Sequence, residues 1–170
     1  MLRPSTVMPP PPMDEPRQVT FDDWYPAAWP RLVGALLPMV GSTPEAEDLA
    51  AQAMAKTLEN WDRLDDPSGW TYTVAVNLAR RRWRRLKRER DEWTRWLDPP
   101  TSLPEVTPEL WQAVGGLPQR QRIAIALRYV LDLPQDEIAR IMRIAPGTVA
   151  ATLHAARQRL RTVLGAEDWT

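Results

Sequence analysis

The sequence contains no cysteine and a single histidine, His154, among its 170 residues. Disulfides, thiolate metal sites and cysteine nucleophiles are therefore excluded, and one histidine cannot build a histidine-rich metal cluster. We expect no metal and no cofactor. The nearest carboxylate pair, Asp65 and Asp66, precedes Pro67, and such a pair is more typical of a turn than of a catalytic centre. An enzyme is not expected.

Long apolar runs are also missing from the chain. No stretch approaches the roughly 20 continuous apolar residues that a membrane-spanning helix needs, and the N-terminus lacks the apolar run of a secretory signal. We therefore expect a cytoplasmic protein that does not insert into a membrane.

The net charge is zero, but the charges are segregated along the chain. Acidic residues dominate positions 14–66, whereas a dense basic run with Trp83 inside it follows at positions 80–95. The basic residues of this run are Arg80, Arg81, Arg82, Arg84, Arg85, Lys87, Arg88, Arg90 and Arg95. The acidic part suits a protein partner, and the basic part suits a phosphate backbone.

Proline and apolar spacing divide the first half of the chain. Residues 1–20 hold six prolines, which predicts a disordered tail. Apolar residues at helical spacing predict a helix over residues 21–40, with Pro26 and Pro30 in its first turns or at a kink. Ser42 and Glu45 stand at capping-box spacing and predict the start of a second helix. A third helix is predicted from about Trp70 through the basic run.

The second half contains a proline-rich segment and then a series of short helices. Residues 93–107 show no helical period and indicate a linker. Helices are predicted from about Pro108 to Leu117 and from Gln119 to Leu131, followed by two helices separated by residues 143–145. The sequence thus predicts an all-α protein of two small helical domains, 21–92 and 108–165, joined by a linker, with a C-terminal helix-turn-helix.

Two surfaces are open to more than one interpretation from residues alone. The outer face of the second helix carries Glu47, Asp48, Gln52 and Lys56, and it is either a solvated face or a partner surface. The arginine run is cationic on nearly all sides and suggests nucleic-acid contact, with Trp83 available for stacking. The competing interpretation is a solvated helix end with Trp83 folded into the core.

Two blocks of sequence resemble the extracytoplasmic-function sigma factors of the sigma-70 family. The first contains Ala46-Glu47-Asp48-Leu49, Trp61-Asp62-Arg63-Leu64, Val74-Ala75-Val76-Asn77-Leu78-Ala79 and Arg82-Trp83-Arg84-Arg85, and it is similar to region 2 of that family. The second contains Leu117-Pro118-Gln119-Arg120-Gln121-Arg122, Leu127-Arg128-Tyr129, Asp136-Glu137-Ile138-Ala139 and Gly147-Thr148-Val149, and it is similar to region 4. The resemblance spans about residues 20–165.

The resemblance implies a role for each surface. Core RNA polymerase would bind the second helix at Glu47, Asp48, Gln52 and Lys56. The promoter minus-10 element would contact Asn77, Arg80, Arg81, Trp83, Arg84 and Arg85, and the loop 62–69 would help to form a pocket for a flipped base. The minus-35 element would contact Arg143, Gly147, Thr148, His154, Arg157 and Arg161. Sequestration by an anti-sigma factor is a further implied partnership.

The sequence departs from the family pattern at the front of the last helix. Ala150, Ala151 and Thr152 occupy places where basic and polar residues are usual, and Ala145 stands where a serine usually caps the helix. Loss of that cap costs roughly 1 kcal/mol. We therefore hypothesise that region 2 supplies most promoter specificity.

The main alternative is a conventional helix-turn-helix regulator that binds duplex operators without polymerase. An acidic second helix followed by an arginine and tryptophan run argues against it, because a sensing or dimerisation domain has no need of a helix that stacks single-stranded bases.

Overall fold

The computed structural model describes residues 19–89 and 107–165, and within these ranges the chain is helical without any strand. The helices are α1 (Phe21–Val40), α2 (Thr43–Asn60), α3 (Pro67–Glu89), α4 (Pro108–Gly115), α5 (Gln119–Ile125), α6 (Gln135–Met142) and α7 (Pro146–Leu164). A 3-10 turn (Trp61–Arg63) follows α2, and a π-helical turn (Ala126–Val130) continues α5. The predicted disordered tail and linker fall almost entirely outside the described residues. No helix in the described ranges is long and apolar enough to span a bilayer.

Helices α2 and α3 pack against the buried second half of α1. The bounds of α1 confirm the predicted helix over residues 21–40. Pro26 and Pro30 were expected in its first turns or at a kink, and α1, which begins at Phe21, places them in its second and third turns. Both prolines are exposed, so the backbone donors they remove lie on the solvent side. The burial of residues 32–40 holds the helix against this loss.

The start of α2 differs from the predicted capping box. Ser42 occupies the N-cap position, but its side chain makes no cap hydrogen bond. The Glu45 carboxylate instead pairs with the Arg82 guanidinium at 2.5 Å, which draws it away from the helix start. A long-range ion pair between α2 and α3 has therefore replaced the local cap. Deeper between the same helices, the fully buried Thr57 and Thr71 hydroxyls lie 2.6 Å apart.

Helix α3 begins three residues before the predicted start at Trp70. The Asp66 carboxylate accepts a hydrogen bond from the Gly69 backbone N–H at 2.9 Å, which satisfies one of the donors left over in the first helical turn. The predicted loop 62–69 is thereby shortened, since its last three residues form that turn.

The C-terminal helices confirm the predicted helix-turn-helix. Val149, Leu153, Ala156 and Leu160 form the buried stripe of α7 against α5 and α6. Arg143 ends α6 in the left-handed conformation, with φ 56°, which is uncommon for a residue other than glycine. The predicted helix from Gln119 to Leu131 is α5 with its π-helical turn. It includes Arg122, whose side chain is 4% exposed. This burial lowers the pKa of Arg122 to about 10.

The two helical groups contact each other through backbone carbonyls at helix ends. Arg31 of α1 donates to the Leu131 carbonyl at 2.9 Å, just after the π-helical turn. Arg80 of α3 donates to the Met142 carbonyl at 3.4 Å, at the last residue of α6. Each guanidinium thus donates to a carbonyl at the end of a C-terminal helix, where the last carbonyls have no partner within the helix.

Candidate nucleic-acid interface

The exposed face of α2 carries all four residues assigned to polymerase binding. Glu47, Asp48, Gln52 and Lys56 are exposed, and Gln52 donates to the Asp48 carboxylate at 2.9 Å. The opposite face of α2 is buried against α1 and α3. These four accessible side chains are the polar surface of α2, and the exposed Ala51 and Ala55 lie among them.

Helix α3 has three sides with different neighbours. Tyr72, Ala75, Val76 and Ala79 recur at helical spacing and are buried in the core. Thr73 borders a shallow groove whose other wall is α6. Leu78, Arg82 and Arg85 border a groove whose other wall is α2. Because the basic run winds around the helix, these neighbours divide its arginines into groups.

The side of α3 opposite the core forms an outward ridge. The ridge consists of Trp70, Val74, Asn77, Arg81 and Arg84, which follow one another at spacings of three and four residues. Arg81 and Arg84 are exposed, and the other three are half-buried. One edge of the ridge, formed by Trp70, Val74, Asn77 and Arg81, also lines a groove whose other wall is Lys56, Glu59 and Asn60 of α2. Three of the six residues assigned to the minus-10 element thus share one surface with an aromatic side chain at its start.

Arg80 is separated from the outward ridge by its contact with the C-terminal helices. Its guanidinium donates to the Met142 carbonyl and is half-buried. Burial lowers the pKa of Arg80, and the nearby charges of Arg120, Arg143 and Arg84 lower it further. In this arrangement Arg80 is directed to a protein carbonyl.

The other two members of the minus-10 set also lie off the ridge. Arg85 is exposed beside the α2 groove, next to the Arg82–Glu45 pair. Trp83 is half-buried, and its indole nitrogen is completely shielded from solvent. A large part of the Trp83 ring is therefore packed, which leaves Trp70 as the aromatic residue on the ridge.

The segment between α2 and α3 lies at one end of the ridge. Asp62, Arg63, Asp65 and Asp66 are exposed there. Helix α6 approaches the far end of this segment, in a groove lined by Asp66, Gly69, Trp70 and Thr73 on one side and by Glu137, Arg140 and Ile141 on the other. The proposed base pocket and the first helix of the helix-turn-helix are therefore neighbours.

The front of α7 is exposed and poor in polar groups. Gly147, Thr148 and His154 are exposed, as are Ala150 and Ala151. Thr152 donates its hydroxyl hydrogen to the Thr148 carbonyl at 2.7 Å, so this donor is used within the helix. The predicted shortage of reading groups is thus present on an accessible surface.

The basic residues assigned to the minus-35 element lie at both ends of this surface. Arg143 is exposed in the turn before α7, Arg161 is exposed near its C-terminus, and Arg157 is half-buried between them. Ala145 takes the N-cap position without a side-chain hydrogen bond. The charges therefore flank the apolar front.

Sequence reasoning missed three side chains that organise these surfaces. Arg31 and Arg82 make long-range contacts that no local pattern reveals. Trp24 donates its indole N–H to the Ser68 hydroxyl at 3.0 Å, across 44 positions of sequence. The helical phase of α3 could have placed Arg82 toward α2, because Arg82 follows Leu78 by four residues on the same side.

Family models match both halves of the chain. The model for sigma-70 region 2 matches residues 27–89, and the model for sigma-70 region 4 matches residues 108–160. The ECF RNA polymerase sigma factor SigW of Bacillus subtilis is 30% identical over 152 residues, which cover 74% of this chain and 79% of SigW. The chain belongs to the extracytoplasmic-function sigma factors of the sigma-70 family.

A second curated relative and a solved structure also match most of this chain. The sigma factor EcfG of Rhodopseudomonas palustris is 30% identical over 155 residues, covering 84% of this chain and 86% of EcfG. A solved structure of the sigma factor RpoE in complex with the anti-sigma factor NepR, from Bartonella quintana, covers 87% of this chain and 98% of the solved one. Its TM-score is 0.74 at 20% identity, which confirms the fold.

These matches decide between the two functions considered from sequence. The protein is an RNA polymerase sigma factor whose partners are core polymerase and promoter DNA. A regulator that binds duplex operators without polymerase is not favoured, because region 2 lies upstream of the helix-turn-helix. Within the described ranges, no group of three or more acidic, histidine or cysteine side chains is placed to hold a metal.

The N-caps of α2 and α7 predict different changes in the free energy of unfolding when their cap residues are substituted. Ala145→Ser should stabilise the protein by about 1 kcal/mol, because a serine hydroxyl can accept from a backbone N–H in the first turn of α7. Ser42→Ala, the control, should change stability by less than about 0.5 kcal/mol, since the native hydroxyl makes no cap bond. Urea unfolding measures both. A large loss in Ser42→Ala would contradict the assignment of these caps.

Proposed function

We propose that this sigma factor reads the minus-10 element with the outward ridge of α3 and the adjoining segment 62–67. The observation that carries this proposal is the alignment of Trp70, Asn77, Arg81 and Arg84 on one side of a helix. A single strand needs cations for its phosphates and flat rings for its bases, and the ridge offers both in one line. Asn77 lies between them with an amide that can donate to and accept from a base edge.

The resemblance implied that Arg80, Arg85 and Trp83 all contact the minus-10 element, and we propose a more limited role for each. Arg80 reaches DNA once its contact with the α6 carbonyl is released. Arg85 neutralises phosphate at the margin of the ridge, beside α2. Trp83 serves mainly as packing under the run, because its indole nitrogen is enclosed.

Core polymerase binds the polar surface of α2 in this proposal. Glu47, Asp48, Gln52 and Lys56 are exposed, and Gln52 donates to Asp48 within this set. The factor works where polymerase and DNA meet, in the cytoplasm, and catalyses no reaction itself. An anti-sigma factor is a further partner, in keeping with the NepR complex of the solved relative.

Helix α7 positions the C-terminal domain on the minus-35 element with little base reading. Thr148 and His154 are the polar side chains exposed at its front, and Arg143, Arg157 and Arg161 contact phosphates on either side. Contacts to phosphates fix orientation without carrying sequence information. Most of the promoter specificity therefore lies in the N-terminal domain.

Assembly with core polymerase tests the proposed role of α2. The purified chain should co-elute with core polymerase and support transcription from members of a promoter library. Asp48→Lys should weaken core binding by about ten-fold, because it reverses a charge at the centre of the polar surface. Asp22→Lys makes the same charge change on an exposed part of α1 and should leave binding unchanged. Equal losses in the two variants would rule out a specific α2 surface, and failure of the wild type to bind core would overturn the role altogether.

The outward ridge predicts a defined change in salt dependence. In holoenzyme bound to a fork probe that lacks a minus-35 element, Arg81→Ala with Arg84→Ala should reduce the log–log salt slope by about 1.5, since each lost phosphate contact removes about 0.7 to 0.9. Arg159→Ala, an exposed arginine of α7, should leave the slope unchanged on this probe. An unchanged slope in the double variant would show that the ridge does not contact the strand.

Restoring charge at the front of α7 should strengthen duplex binding. Ala150→Lys with Thr152→Arg should raise affinity for minus-35 duplex and increase the salt slope by about 1.8, because two new phosphate contacts become possible. Glu109→Gln with Gln112→Lys changes the net charge equally on α4 and serves as the control. Equal effects of the two double variants would indicate a general charge effect instead of a depleted reading surface.

A further inference from the structure

The first turn of α1 contacts both ends of the segment that joins α2 to α3. Trp61, at the start of this segment, meets Phe21 edge-on with ring centroids 5.5 Å apart, and it meets Trp24 at 5.3 Å. The Trp24 indole N–H donates to the hydroxyl of Ser68, the second residue of α3, at 3.0 Å. A single side chain, Trp24, therefore bridges the two ends of residues 62–67.

The bridge is anchored at a capped helix start on one side and at a buried tyrosine on the other. Thr20 and Asp23 form a complete capping box at the start of α1, which fixes the turn that carries Trp24. Ser68 also forms a side-chain hydrogen bond with Tyr72, which is 6% exposed. Burial, above all, raises the pKa of Tyr72, so its hydroxyl keeps its proton at neutral pH. The chain of contacts thus runs from a capped helix end to a buried phenol.

Within the part of the chain that the structure describes, the hydrogen bonds of the segment between these anchors are short-range. The Leu64 N–H donates to the Trp61 carbonyl at 3.2 Å, and the Gly69 N–H donates to the Asp66 carboxylate. Its charged side chains are exposed. The span across the segment is therefore set at its two ends, by the rings at Trp61 and by the hydrogen bond at Ser68.

We propose that Trp24 is a positioning residue for promoter reading, since it fixes the distance between Trp61 and Ser68 and hence the shape of the pocket that residues 62–67 offer to a flipped base. The inference rests on the proposed function, in which this segment borders the minus-10 surface. Recognition of an extruded base depends on closely placed groups, and small displacements of a supporting shell weaken selection. Trp24 acts through the segment and touches no DNA itself.

The test uses holoenzyme, assembled from core polymerase and the full chain, on promoters randomised at every position of the minus-10 element. The readout is the ratio of transcript from the best base to that from the second-best base at each position. Trp24→Phe keeps a ring against Trp61 and removes the donor to Ser68. We expect it to lower this ratio by about five- to ten-fold at one position while core affinity stays at the wild-type value.

One further single variant, one double variant and a control separate positioning from general packing. Ser68→Ala removes the acceptor and should lower the ratio at the same position, and Trp24→Phe with Ser68→Ala should add little to either single change, because both break one contact. Trp29→Phe is the matched control. Trp29 lies in the same helix with its ring against Tyr25, and its variant should keep the wild-type ratio.

The possible outcomes distinguish this inference from the proposed function. If both single variants keep the wild-type ratio, the inference about Trp24 is wrong and the proposed function is unaffected. A uniform loss of transcript at all positions, with unchanged ratios, would assign Trp24 to stability and also overturn it. A wild-type holoenzyme that shows no base preference in the minus-10 element would overturn the proposed function, and the inference with it.

Discussion

The surfaces of this sigma factor depend on the helical phase of α3. Each step along the helix turns the side chain by about 100°, so consecutive arginines in one run must face different neighbours. Arg80 meets a carbonyl of α6, Arg82 pairs with Glu45 of α2, and Arg81 and Arg84 face outward. A run that is uniform in sequence is thus divided into a contact between domains, a structural ion pair and a candidate DNA surface.

The contact between the two domains combines satisfied carbonyls with crowded positive charge. Arg31 and Arg80 donate favourable hydrogen bonds to carbonyls at helix ends. Arg80 also lies close to Arg84, Arg120 and Arg143, and the repulsion between these positive charges is unfavourable. Like charges repel most strongly where water is excluded. Because Arg80 is half-buried and donates to the Met142 carbonyl, the proposed function expects it to contribute more to promoter binding when this contact opens.

Local patterns predicted the helices well because apolar spacing and breaking residues act at short range. The bounds of α1 and the turn at residues 143–145 followed from such signals. The use of the Glu45 carboxylate could not be predicted from capping-box spacing, since it pairs with Arg82 of another helix. The helical interior positions of Pro26 and Pro30 likewise depend on burial elsewhere in α1. The candidate site was predicted as a set of residues, whereas its division into surfaces required the packing around α3.

The composition of α7 explains why the C-terminal helix can keep its shape while losing reading groups. Alanine has the highest helix propensity, so Ala150 and Ala151 favour the helical state that the missing cap at Ala145 disfavours. The same two alanines add no donor or acceptor for base edges to the exposed front, where Thr148 and His154 are the polar side chains. In the proposed function, the flanking arginines hold this helix on duplex DNA, and the α3 ridge and the segment that Trp24 spans select the bases.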